Sequence, residues 1–398
     1  MTRKRLAALA LLALTGCTPA PVRLLTDNPD AAYAAEVYAH QSDVPVELVF
    51  RANVTAALTQ EQTGATVVLA EWINNPAATA RLQRLPRRVR TAQAEHAVVL
   101  NADERLVALS FRPYALVAAP SVTLPSSEAI GADMLASVLS DQDEATADLG
   151  TIAAFGADGA SIYGLLLGFG FAEAALVNQD GGIAWPVAAF DAAVAAVFEL
   201  RTTVHESVAA ELAFAERFLY ESWERHLTTD RLGIALIDGA VVLHAPPASA
   251  ERVQLRWLAD RSQQVLAHEA VLWSGIVRGR GVRQRRESAR MLQWLLDPAV
   301  QRQLAADAQA AHATRFGFLG GFSTSDAVNE YIVTELRPDL QIGAPPAVSL
   351  RWPGMRPRYW NEAMNEVIEP FLRDEATDTQ RASQLASRLR VWYDQRGD

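Results

Sequence analysis

Glu71-Trp72-Ile73-Asn74-Asn75 follows directly on the apolar run Thr66–Ala70 and puts a carboxylate, an indole and two primary amides within five residues. A flat aromatic face stacks on the C–H surface of a sugar ring, and planar carboxylate and amide groups bond paired hydroxyls. The loop therefore has the chemistry to hold a polyhydroxylated solute. The same residues also fit a helix start in which an Asn caps the first turn and Trp72 packs on the sheet.

Other candidates fall where the chain must change direction. Arg112 and Tyr114 flank Pro113 inside the extended run Leu106–Ala119, and Trp273 lies in a second extended run, Val271–Val277. Asp158, with Ser161 and Tyr163, opens a helical stretch, where free N–H groups bind a ligand oxygen or simply receive a cap. Gly320, Gly321 and Ser323 could bring backbone against a ligand or merely turn the chain. Trp185 sits in a loop, whereas Trp223, Trp294, Trp360 and Trp392 fall in helical patterns and read as core. The expected ligand contacts are thus Glu71, Trp72, Asn74, Asn75, Arg112, Tyr114, Asp158, Trp273, Gly321 and Ser323.

Catalytic and metal signatures are missing from this pattern. The seven histidines (His40, His96, His205, His226, His244, His268 and His312) are scattered, with no His-Glu-x-x-His spacing. There is no Gly-x-Ser-x-Gly elbow and no Walker loop, and Gly164, Gly168 and Gly170 lack dinucleotide spacing. A glycosidase would need two particular carboxylates, and nothing marks two among the 46 acidic residues. The expectation is a binding protein rather than an enzyme, with no catalytic residue, cofactor or metal.

The single cysteine, Cys17, ends Leu14-Thr15-Gly16-Cys17, after a basic Arg3-Lys4-Arg5 and an apolar Leu6–Leu14. That is the order of a secretory signal, and its specific form is the bacterial lipobox, whose cysteine is lipidated and becomes the new N-terminus. The apolar run is far below the roughly 20 residues that span a bilayer. Residues 1–16 are expected to be a lipoprotein signal peptide and residues 17–22 anchor and linker. The rest would lie outside the cytoplasm, in the periplasm or at the cell surface, held to the membrane by acyl chains such as palmitate. With Cys17 so used, no thiol remains for a disulfide or a thiolate site.

Removal of residues 1–16 leaves 382 residues, enough for two lobes with real cores. The whole chain carries −10; Arg3, Lys4 and Arg5 precede the cleavage point, so 33 basic residues remain against 46 acidic ones, or −13. So acidic a chain is poorly suited to grip nucleic acid or an anionic membrane. One cluster, Arg278–Arg286, runs against the trend and reads as a solvated loop and helix start.

The elements alternate. Val22–Thr26 reads as a strand and Ala31–His40 as a helix, with Val44–Phe50 and Thr66–Ala70 as further strands, the order of an α/β layer with parallel pairing. Pro113 interrupts Leu106–Ala119, so that run is expected to leave one sheet and enter another. Helices follow over 132–139, 160–169, 187–204 and 209–225, with strands over 233–243 and 253–258. A second crossing comes at 271–277, and helices at 287–296, 299–306, 359–372 and 378–396.

In this order and spacing the chain resembles bacterial extracellular solute-binding proteins, the sugar-type family that feeds ABC transporters. The resemblance rests on the lipobox, the Asp27-Asn28-Pro29 helix start and the strand Ala65–Ala70 ending in the Glu71–Asn75 loop. It extends through the crossing at Leu106–Ala119, the strand Gly233–Gly239, Trp273-Ser274-Gly275-Ile276, the helix Ala289–Leu296 with Asp297–Gln301, and the loop Phe316–Ser323. It implies an α/β, two-lobe periplasmic-binding-protein type II fold with an interlobe cleft and hinge. Lobe 1 would take 23–111 and 274–315, and lobe 2 would take 112–273 and 316–398. The protein would be a monomer that captures a small solute, a sugar or oligosaccharide, for a membrane permease. A surface lipoprotein of the same fold acting as sensor or adhesion module, and a tethered carbohydrate-active enzyme, are the alternatives. Arg112 at the hinge also leaves room for an anionic or modified sugar or a peptide-like solute.

Overall fold

The computed structural model describes residues 20–60, 64–91, 99–135, 137–139, 155–157, 159–178, 182–205, 213, 223–229, 232–239, 244–245, 252–311, 316–340, 342–372 and 384–396. Cys17 and Asp158 lie outside them. Strand β1 (Val22–Thr26) and helix α1 (Ala31–Ser42) are followed by β2 (Val46–Phe50), α2 (Val54–Thr59), β3 (Val67–Ala70), α3 (Pro76–Thr79) and α4 (Arg87–Arg90). Next come β4 (Leu106–Phe111), β5 (Tyr114–Ala118), β6 (Ala129–Gly131), β7 (Phe155–Ala157), α5 (Gly159–Gly168), α6 (Val187–His205) and α7 (Trp223–Thr228). β8 (Ile234–Asp238), β9 (Gln254–Ala259), β10 (Val265–Leu266) and β11 (Leu272–Ile276) lead to α8 (Val282–Leu295) and α9 (Pro298–Ala310). The last described elements include β12 (Phe322–Ser323), α10 (Asp326–Tyr331), β13 (Leu350–Arg351), α11 (Trp360–Ala363) and α12 (Gln384–Asp394).

These strands form two sheets, ordered β12-β4-β11-β3-β1-β2 and β13-β10-β9-β5-β8-β7, with β6 paired to β9. In the first, β3, β1 and β2 run parallel while β11 runs against both β3 and β4. Its central strands are apolar on both sides, as a sheet covered on both faces requires. Val22, Leu24, Val67 and Leu69 pack beneath α1 and α8, whereas Leu25 and Val68 face the opposite core. The two-lobe α/β architecture read from the sequence is the architecture the chain adopts.

The crossing at Pro113 follows from proline chemistry. A residue without an N–H cannot continue a ladder, so β4 ends at Phe111 in the first sheet and β5 begins at Tyr114 in the second. The return crossing lies beside it: the His268 amide donates to the Arg112 carbonyl at 2.7 Å, and the Gly239 amide to the Pro113 carbonyl at 2.9 Å. Strand membership departs from the expected lobe limits in two places. Leu272 and Trp273 already pair with β4 in the first sheet, and Phe322–Ser323 pairs with Phe111 and Ser110 there, although 316 onward was assigned to the second lobe.

Other differences are local. Helix α8 starts at Val282 rather than 287, because its first turn of Arg and Gln has helix propensity without apolar periodicity. The segment expected as a helix over 359–372 is helical over 360–372, but α11 passes into a π-helical turn at Met364–Ile368 within it. Most of the helix expected at 209–225 lies outside the described residues; only Trp223–Thr228 is defined as an element there.

Candidate functional site

The parallel strands of the first sheet all end toward the second sheet, and their carboxyl ends carry a cavity of about 200 Å³. Such ends are where open α/β sheets hold ligands. Asp27 after β1, Asn53–Thr55 at the start of α2 and Trp72–Asn75 after β3 form one wall, and Trp273 of β11 joins them. The facing wall is Glu269, from the return crossing, and the Pro353–Glu362 region after β13, including Arg356, Tyr359 and Trp360. Trp360 stacks on Phe171 (centroids 6.4 Å, planes 29° apart), which fixes that wall to the second body.

Asn75 shows how the sequence builds this end of the sheet. Its side-chain oxygen caps α3 by accepting from the Ala78 amide at 2.9 Å, with Pro76 in the first turn. Its amide nitrogen donates to Thr55 Oγ1 at 3.0 Å and to the Trp72 carbonyl at 2.8 Å. The Asn75 side chain thus holds the loop in shape. Asn53 likewise caps α2, accepting from Ala56, and its Nδ2 reaches Glu362 Oε1 at 3.4 Å across the cavity. The backbone completes the contact between bodies: the Arg356 amide donates to the Asn74 carbonyl at 2.9 Å, and Asn74 Nδ2 to the Gly354 carbonyl at 3.4 Å.

One buried and one half-buried charge network flank the cavity. Arg356 donates from Nε to Glu269 Oε2 at 2.7 Å and from Nη2 to Oε1 at 2.5 Å, and Tyr163 donates its hydroxyl to Oε1 at 3.0 Å. Burial is the largest single influence and opposes the Arg356 charge, but Glu269 together with Tyr163 and Tyr114 outweighs it and holds the guanidinium above its ordinary pKa. Burial, reinforced by Glu269, pushes the Tyr163 phenol well up, so it remains a donor. In the second network Arg112 lies 3.6 Å from Glu71 and 3.8 Å from Asp238, and His268 Nε2 lies 3.8 Å from Asp238. His268 Nδ1 accepts from the Ala270 amide at 3.0 Å, which leaves the ring proton on Nε2. Burial lowers the His268 pKa against the pull of Asp238.

Of the expected contacts, Trp72, Asn74, Asn75 and Trp273 line the cavity together. Glu71 and Arg112 form the ion-pair network beside it, and Tyr114 packs on His268 with ring centroids 5.0 Å apart. Gly321 and Ser323 do not line it. A Cβ on Gly321 would sit 2.5 Å from the Phe111 carbonyl oxygen, so glycine there lets β12 pack on the crossing. Ser323 is fully buried, donating to Gln301 Oε1 at 2.5 Å and accepting from the Ser325 amide at 2.8 Å. Sequence reasoning passed over Asp27, Asn53, Thr55, Glu269, Arg356, Tyr359 and Glu362 as cavity residues and read Trp360 as core alone. The signal available for Asp27 and Asn53 was position, each polar residue coming just after a strand that ends at the cleft.

Indole and phenol faces with carboxylates, amides and a hydroxyl around them suit a neutral polyhydroxylated molecule. Among the described residues no cluster of three His, Cys, Asp or Glu could hold a metal ion.

No protein-family model matches the sequence, and no curated protein matches it. Solved structures do match the fold over nearly its whole length. The cyclic alpha-maltosyl-1,6-maltose binding protein from Arthrobacter globiformis superposes with a TM-score of 0.60 at 13% identity, over 93% of this chain and 99% of that one. An ABC transporter solute-binding protein from Agrobacterium radiobacter, in complex with ribitol, gives 0.56 at 12% identity, over 94% and 98%. A Bordetella ferric binding protein gives 0.52 at 14% identity, over 93% and 99%. The chain has the two-lobe fold of these solute-binding proteins.

Proposed function

We propose that this chain is a lipid-anchored, extracytoplasmic solute-binding protein that captures a sugar or related polyol between its lobes and presents it to an ABC permease. The observation that carries the reading is the cavity itself, at the strand ends of one sheet and faced by the other body, with Trp72, Trp273, Trp360 and Tyr359 among polar groups. The first lobe is taken as residues 22–111 with 272–323, and the second as 114–266 with 350–396, following the sheets. The ribitol and maltosyl-maltose ligands of the two carbohydrate-binding neighbours agree with the chemistry of these walls. Among the described residues Arg356 is the one arginine lining the cavity, and Glu269 already neutralises it, so those walls offer an anionic solute no uncommitted cation. Capture involves no covalent step; a solute that binds the closed arrangement better than the open one supplies the driving force.

The test is a thermal-shift panel of mono- and oligosaccharides, polyols, amino acids and short peptides on the chain from residue 18. A solute at about 100 times its dissociation constant adds about 2.7 kcal/mol to stability. A shift with sugars or polyols supports the reading. Shifts confined to amino acids or peptides, or none at all, contradict it.

A further inference from the structure

The amino ends of the parallel strands, opposite the cavity, carry a concentration of positive charge on this acidic chain. Residues 81–90 and 277–286 each contain five arginines and no carboxylate. The fold brings them together: Leu82 bridges to Val277, Arg88 Nη2 donates to the Arg286 carbonyl at 3.2 Å, and α4 packs on α8. Arg84 and Arg90 share Glu104, and Arg290 binds Glu287. Arg87, Arg88, Arg285 and Arg286 are exposed and form no ion pair among the described residues. Val282, 74% exposed, projects among them.

This arrangement works against the local helix. The N-terminal end of a helix is positive and favours acidic side chains, yet the first turn of α8 has none, and it holds Arg283 and Arg285 with Arg286 next. Placing several cations at a positive helix end is unfavourable for the isolated fold, and an external anion relieves it.

The same end of the sheet is where the chain enters from its N-terminal segment. The Arg23 amide donates to Thr66 Oγ1, the Val277 amide to the Thr66 carbonyl, and Arg280 Nε to the Ala65 carbonyl at 2.8 Å. Val22, which begins β1, is five residues from Cys17, a tether of at most about 18 Å when fully extended. We infer that this arginine-rich pole docks on the anionic headgroups of the bilayer. It acts with the acyl anchor as a second attachment signal while the cavity, at the other end of the first sheet, is open to solutes, and it releases when the chain turns that cavity to the permease. A basic patch is a recognised complement to an acyl anchor, and here it would orient the chain on the surface. The overall negative charge does not prevent this, because screening beyond about 8 Å makes the local patch decisive. The orientation rests on lipidation at Cys17; the affinity of the pole for anionic lipid does not.

The test uses the chain from residue 18, which keeps every described residue, in co-sedimentation with vesicles of phosphatidylcholine alone or with about 30% phosphatidylglycerol. Basic side chains near such a surface contribute about fivefold each, so partition onto the anionic vesicles should exceed that onto neutral ones by at least about tenfold. About 0.5 M salt should abolish the difference, and the quadruple variant R87Q/R88Q/R285Q/R286Q, checked for unchanged thermal unfolding, should lose it. Equal partition onto both vesicles, insensitivity to salt or undiminished binding by the variant overturns the proposal. Capture of duplex DNA without capture of vesicles overturns it in favour of a nucleic acid. Mass spectrometry of the membrane-extracted protein separates the two premises: an unmodified Cys17 removes the tether and the orientation, while the vesicle result still decides the pole.

Discussion

Arg356 and Glu269 form a two-pronged ion pair in the wall of the cavity, with the Glu269 side chain fully buried and that of Arg356 8% exposed. The two are 87 residues apart, and the pair ties the return crossing to the segment that follows the last strand of the second sheet. Removing one partner strands the other charge in the interior, which costs about 3–5 kcal/mol. Glu269→Gln should therefore lower the urea midpoint markedly. The double variant Glu269→Met with Arg356→Leu should recover much of the loss, since both charges then leave together. A single variant as stable as the wild type would show that the pair is not held as described.

His268 makes the hinge sensitive to acid. Its folded pKa lies below its ordinary value of 6.5, chiefly through burial, so below that pH the unfolded chain takes up a proton that the folded chain resists. The unfolded state then binds more protons, and stability falls as pH drops through and below about 6.5. The other groups facing the ring are Asp238, Arg112, Glu71 and Glu269, and the acidic ones moderate the effect. His268→Gln should flatten this part of the stability profile between pH 7 and 5. A profile of unchanged slope would assign the acid loss to carboxylates elsewhere.

Gly321 governs how closely β12 approaches the first crossing. A methyl group there meets the Phe111 carbonyl oxygen at 2.5 Å, a backbone atom that cannot swing aside. Gly321→Ala should destabilise by about 1–3 kcal/mol, the usual range for overpacking, read as a fall in chemical-denaturation midpoint. An unchanged midpoint would mean that the crossing shifts freely.

Much of the frame was legible because it depends on local rules. Val22–Thr26 matches its strand residue for residue, Pro113 divides the long run between two sheets, and the loop after β3 supplies four lining residues, Trp72 to Asn75. The facing wall was not legible. Pro353–Glu362 has no periodicity to read, and no local pattern links Arg356 with Glu269, because only the closed fold brings them together. Ser323 and Asn75 illustrate a second limit. A polar side chain in a loop offers the same chemistry to a ligand and to its own fold, and here both side chains bond protein groups. Arg278–Arg286 read as a solvated run because its neighbour, Arg81–Arg90, is distant in sequence and adjacent only across the Leu82–Val277 bridge.

The central claim is capture of a solute between the aromatic walls, and calorimetric titration of the best sugar or polyol into wild type and Trp72→Ala tests it most directly. Trp72 is half-buried and lines the cavity. Loss of a stacking face of this kind is worth about 1.4 kcal/mol or more, or at least about tenfold in Kd. The account predicts one-to-one binding to the wild type, weakened at least about tenfold in Trp72→Ala, with both proteins titrated well below their unfolding transitions because Trp72 also packs on the core. Equal affinity in the two proteins would place the solute elsewhere and contradict the account.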